Sequence, residues 1–136
     1  MRQYILASHG LFSKGILDSI KMIVGDKKNV SVIAAYTEEN SDIKNQISSL
    51  INSISPEDEI VVCTDVFGGS INNEFMNYLH KKNFHLITGI NLPLLINLFL
   101  NEEEEIYKVI KESVEQAKEA LIYCNEKLTQ VVDDEF

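Results

Sequence analysis

Ile5-Leu6-Ala7-Ser8-His9-Gly10 and, far downstream, Cys63-Thr64-Asp65-Val66-Phe67-Gly68-Gly69-Ser70 are built alike. Each is an apolar run that stops at a reactive side chain and then turns on glycine. In an open parallel α/β sheet, ligands and chemistry collect at the carboxyl ends of the strands, so the two stops predict one composite site. An imidazole, a carboxylate to orient it and a glycine-rich loop together point to phosphoryl handling.

The rest of the chain supplies the sheet that such a site needs. Residues 4–7, 30–36, 60–64 and 84–88 are short apolar runs rich in β-branched or aromatic residues, as strands buried on both faces should be. Helical stripes alternate with them. Ile16, Leu17, Ile20, Ile23 and Val24 form one, ended by Gly25; Ile43, Ile47, Leu50, Ile51 and Ile54 form a second, stopped before Pro56; Ile71, Phe75 and Leu79 form a third. The βαβα order predicts an α/β fold, doubly wound, with a parallel sheet, right-handed crossovers and helices on both faces. From Leu92 to Leu100 the pattern is apolar around almost the whole circumference, with Pro93 in the first turn, so this helix has to be covered on more than one side. Two covers are open: its own sheet and neighbours, or a second copy of the chain. In the last helix, acidic residues 102–105 suit the helix start, and Ile106, Val109, Ile110, Val114, Ala117 and Leu121 supply a buried stripe.

Composition narrows the function. The 136 residues and 45% hydrophobic content suit one domain, residues 1–136, without disulfides or structural metal. A formal charge of -9 argues against a nucleic-acid surface, which needs clustered Lys and Arg. Cys63 and Cys124 have no CxxC spacing and are expected to be reduced, buried thiols. Met1-Arg2-Gln3-Tyr4 runs straight into a strand, and no apolar run approaches the ~20 residues of a membrane helix, so a cytoplasmic, soluble protein is expected.

His9 is singled out by its position, between Ser8 and Gly10 at a strand end and just before a helix whose amides favour an anion. His80 and His85 have no such setting and are read as structural or surface residues. Asp65 ends the third strand; if that strand neighbours the first, the two side chains flank one crevice. A carboxylate accepting from Nδ1–H fixes the tautomer, leaves Nε2 as a nucleophile and steadies the cationic ring once Nε2 carries a phosphoryl group. The blander reading of Asp65 is a turn or cap aspartate. Gly68, Gly69 and Ser70 offer close-approaching amides and a hydroxyl; their blander reading is a flexible turn with Ser70 as an N-cap.

Competing chemistries fit worse. A Ser-His-Asp hydrolase lacks a GxSxG elbow, metal binding lacks a third ligand at a sensible spacing, and neither GxGxxG nor GxxxxGK[ST] is present for a nucleotide.

The chain resembles the IIA domain of the mannose class (mannose, fructose, sorbose) of the bacterial sugar phosphotransferase system. Three segments carry the resemblance: the strand ending in His9-Gly10, the Asp65-Val66-Phe67-Gly68-Gly69-Ser70 loop, and Gly89-Ile90-Asn91-Leu92-Pro93 before an apolar helix. It implies a mainly parallel sheet of order 2-1-3-4 and a homodimer that exchanges a C-terminal antiparallel strand, here residues 120–124. It also implies His9 as phosphoacceptor, Asp65 as its orienting group and Ser70 as the phosphate-side hydroxyl, in a loop with Gly10, Phe67, Gly68 and Gly69. Phe67 stands where the family often has Trp, which keeps a hydrophobic wall but removes an indole donor, and Ile71 stands where proline is frequent.

The implied activity is that of a phosphotransferase. Phosphorylated HPr donates to His9, and His9 passes the group to a separate IIB partner, linked to the membrane IIC and IID subunits for sugar uptake. No cofactor or metal is called for. Two alternatives stay open: the phosphotransferase subunit of a dihydroxyacetone kinase system, and a receiver-like signalling domain phosphorylated on Asp65. The receiver reading lacks the acidic pair after the first strand that would hold Mg²⁺, since Ser8-His9 stands there.

Overall fold

A computed structural model describes residues 1–37 and 42–128. In chain order the elements are β1 (Arg2–His9), α1 (Phe12–Val24), β2 (Val30–Ala35), α2 (Ile43–Ser53), β3 (Glu59–Thr64), α3 (Ser70–Met76), β4 (Phe84–Thr88), α4 (Leu92–Leu100) and α5 (Ile106–Glu119). The four strands form one parallel sheet of order β2-β1-β3-β4, as expected. The order reverses direction at β1, so β1 and β3 lie side by side and their carboxyl ends share the crevice where open α/β sheets bind ligands.

Side-chain alternation along the buried strands divides the core in two. Tyr4, Leu6, Val61 and Cys63 face α1, α4 and α5, where they meet Ile16, Ile20, Leu94, Leu98 and Val109. Ile5, Ala7, Ile60 and Val62 face α2 and α3, where they meet Ile47, Ile51, Ile71 and Phe75. Burial pushes the Cys63 thiol up to about 12, so it remains protonated and unreactive at neutral pH.

Several expectations from periodicity are corrected at the helix ends. α3 stops at Met76 and leaves Leu79 exposed, because Asn77, Tyr78 and Leu79 close tight i→i−3 turns instead of continuing the α-helix. Ile23 is also exposed, since it lies off the face that α1 presents to the sheet. Leu121, read as the end of a buried stripe, is 92% exposed, because α5 ends at Glu119 with Ala120 as its cap. Cys124, beyond that cap, is exposed rather than buried, and a helical turn spans residues 124–128. Residues 120–124 therefore form no strand in the single chain. Of the two covers considered for α4, its own chain supplies the larger part: Leu94, Leu95, Leu98 and Phe99 are all buried, with α4 packed against α1 and α5. The acidic residues before α5 have structural uses: Glu102 pairs with Lys27, and Glu105 caps the helix by accepting from the amides of Tyr107 and Lys108 at 3.0 and 2.9 Å.

Candidate functional site

His9 is the last residue of β1, and Asp65 directly follows β3. The pairing Ala7↔Thr64 carries both strands out of the sheet together. One carboxylate oxygen, Asp65 Oδ2, accepts from the His9 backbone amide at 2.9 Å and faces His9 Nδ1 at 2.9 Å. The other, Oδ1, accepts from the Val66 amide at 3.0 Å. Partial burial pushes the Asp65 carboxyl up, but the amide and the ring of His9 outweigh it and hold it below the ordinary carboxylate value. An ionised carboxylate at Nδ1 requires a proton there, which leaves Nε2 with its lone pair. Among the described residues no hydrogen bond engages Nε2, and the side chain is 43% exposed.

The loops around this pair are pinned. Gly10 adopts φ 60°, a left-handed conformation open to glycine at little cost, and its amide donates to Ala35 O at 2.8 Å. Beneath it, the buried Ser8 Oγ accepts from the Ser13 amide at 2.7 Å, and Ser13 Oγ donates to Ile33 O at 3.0 Å, fixing α1 to the end of the sheet. On the other side Gly68 takes φ 79°, while buried Thr64 Oγ1 donates to Asn72 Oδ1 at 2.8 Å and ties α3 to β3. Gly69 approaches the imidazole closely: a Cβ built there would lie 3.1 Å from His9 Cε1 and 3.3 Å from Val66 O. Gly69→Ala is therefore expected to shift the ring or the loop by a few tenths of an ångström and slow chemistry at Nε2 by about tenfold, since small misplacements at a reacting centre cost up to ~10²-fold. Stopped-flow transfer rates beside an unchanged circular dichroism spectrum check this.

The structure thus brings His9, Asp65, Gly10, Gly68 and Gly69 together. Ser70 is the first residue of α3, not its cap, which is Gly69. Its Oγ lies 2.6 Å from the hydroxyl of Tyr36, a residue the sequence reading took only as a strand end. The Tyr36 ring also lies beside the imidazole, centroid to centroid 5.6 Å. Phe67, expected to form a hydrophobic wall, is 75% exposed at the rim, where Val66, Leu11 and Phe12 are exposed too. The sequence signal for Tyr36 was partial: a phenol closing the apolar run 30–36, at the same end of the sheet as His9, with nothing in the spacing to show its reach to Ser70. His85 lies at the start of β4, bonded to Glu59 at 2.7 Å, and His80 is exposed; neither joins the site. Among the described residues no cluster of metal-ligating side chains occurs, and no helix is long and apolar enough to cross a membrane.

The arrangement offers an oriented imidazole with a free nitrogen at a glycine-lined crevice, which suits accepting and releasing a group at Nε2. Proteins similar to this chain include components of the sugar phosphotransferase system. A fructose-specific EIIA component of the phosphotransferase system from Bacillus subtilis (strain 168) is 23% identical over 134 residues, spanning 96% of this chain and 92% of that protein. A sorbose-specific EIIA component from Klebsiella pneumoniae is 31% identical over 100 residues, spanning 72% of this chain and 73% of its own. A crystal structure from Klebsiella pneumoniae subsp. pneumoniae MGH 78578, ascribed to a phosphoenolpyruvate-dependent sugar phosphotransferase system (PTS) permease, superimposes with a TM-score of 0.90 at 41% identity over 93% of each chain. The family model described as PTS system fructose IIA component matches residues 3–122, which takes in both strand ends, the glycine loop and α4, so the chain belongs to the mannose-class EIIA family of the sugar phosphotransferase system.

Proposed function

We propose that the chain is a phosphoryl carrier that accepts the group from phosphorylated HPr on His9 Nε2 and hands it to a histidine of a IIB partner on the cytoplasmic side of the transporter. The observation that carries this reading is the 2.9 Å contact of His9 Nδ1 with Asp65 Oδ2, which directs the lone pair to Nε2. In the first step the Nε2 lone pair forms an N–P bond, and the N–P bond of the donor breaks with its electron pair returning to the donor imidazole. The accepted ring is cationic, and Asp65 lies where it offsets that charge. Ser70 Oγ is the side-chain hydroxyl assigned to the phosphoryl oxygens, and Gly68 and Gly69 leave room for them. The apolar rim of Leu11, Phe12, Val66 and Phe67 suits successive docking of protein partners. Incubation with phosphorylated HPr, followed by ³¹P NMR, tests it: the expected product is an Nε2-phosphohistidine, acid-labile and alkali-stable, and labelling at any other residue overturns the reading.

The same reading includes a homodimer. β4 is an edge strand, and beside it a groove of about 350 Å³ is lined by Ile87, Thr88, Gly89, Leu94, Val114 and Leu121. Thr88 Oγ1 is buried without a hydrogen-bond partner among the described residues, and Leu121, Ile122 and Tyr123 stand exposed after α5. Exchange of residues 120–124 onto the partner's β4 would cover both the edge and those side chains. Sedimentation equilibrium at low micromolar concentration is expected to give a dimer, and truncation before Ala120 an aggregating chain. A monomer removes the dimer; a well-folded soluble dimer after truncation removes only the exchange.

A further inference from the structure

Tyr36 lies one residue beyond Ala35, the register partner of His9, and among the described residues it is the one non-glycine with a positive φ, 61°. A side chain disfavours that left-handed conformation, and 61% exposure means that core burial does not offset it. The conformation places the ring 5.6 Å from the imidazole, tilted by 32°, and the hydroxyl 2.6 Å from Ser70 Oγ. We infer that Tyr36 is a positioning residue for the phosphoryl group: its hydroxyl donates to Ser70 Oγ, so that Ser70 keeps its own proton for the phosphoryl oxygens of His9.

A phenol is a stronger donor than an aliphatic alcohol, which sets the direction of the pair. With Ser70 accepting from Tyr36, its remaining O–H points away from the tyrosine, and a chain running phenol to alcohol to phosphoryl oxygen polarises each link. The ring face beside the imidazole adds attraction once that ring becomes cationic, since the 5.6 Å separation is within cation–π range. Both effects favour the phosphorylated over the free state. The hydroxyl pair thus joins the residue that follows β2 to the first residue of α3, beside the strand end whose Ala35 O accepts from the Gly10 amide.

The inference rests on His9 as the phosphoacceptor, and the test keeps the two apart. Wild type, Tyr36→Phe, Ser70→Ala and the double variant are equilibrated with phosphorylated HPr, and the phosphohistidine population and ³¹P shift are read by NMR. Tyr36→Phe is expected to lower the equilibrium constant for phosphorylation about fivefold, the size of one net hydrogen bond, and to move the ³¹P resonance while leaving the circular dichroism spectrum unchanged. In the Ser70→Ala background the Tyr36→Phe effect should vanish, because the chain is already broken. An unaffected equilibrium and resonance in Tyr36→Phe, or full additivity in the double variant, overturns the positioning role while the relay stands. No label on His9 in the wild type overturns the relay and this inference with it.

Discussion

His9→Ala is expected to take no phosphoryl group from phosphorylated HPr at any donor concentration, while keeping its fold. On the proposed relay the loss is complete, because the acceptor atom itself is gone and the other two histidines do not replace it. His85 is bonded to Glu59 at the start of β4, and His80 is exposed past α3. The fold should survive because the His9 side chain is 43% exposed and the backbone bond from the His9 amide to Asp65 Oδ2 does not need the ring. Radiolabelling with the phosphorylated donor measures it. A label that persists in His9→Ala, or that hydroxylamine removes as an acyl phosphate on Asp65, would favour the receiver-like reading instead.

Asp65→Asn is expected to slow transfer by a factor on the order of 10²–10⁴, the scale of losing the group that orients a catalytic imidazole. The amide keeps the shape of the carboxylate, but it lacks the charge that steadies a phosphorylated ring and can present its NH₂ to Nδ1, selecting the wrong tautomer. Single-turnover stopped-flow rates decide: a rate equal to wild type leaves Asp65 a turn residue only. The variant also has a stability signature. A carboxyl whose folded pKa is depressed stabilises the fold fully above its unfolded value, and that contribution is lost as pH falls through the folded one. Asp65 is depressed from 3.8, so wild type should exceed Asp65→Asn in thermal stability above that pH, and the gap should close as the pH is lowered further into the acid range.

What sequence could reveal, and what it could not, divides along physical lines. Strands buried on both faces leave unbroken apolar runs, so all four were legible to within a residue or two. Residues 84–88 were placed at the observed bounds of Phe84–Thr88. Helix ends were less legible: Leu79 and Leu121 continue an apolar period that the backbone abandons, in tight turns after Met76 and at the Ala120 cap. The apolar girth of α4 was legible, but which surface covers it depends on α1 and α5 packing from both sides, a tertiary fact. At the site, the positions of His9 and Asp65 could be argued because strand ends converge by a general rule. Tyr36 escaped because its role depends on a left-handed φ at the end of β2 and on the reach of its hydroxyl to Ser70, neither of which has a spacing to read.

One oxygen of Asp65 binds both the amide and the ring of His9, and this determines more than a tautomer. The imidazole is moored to its own backbone through a rigid sheet, so it is a fixed post rather than a swinging arm. On the proposed relay, donor and acceptor must visit the same small area of surface, and they cannot do so together. Turnover then follows ping-pong kinetics, with each partner inhibiting the other's approach when in excess.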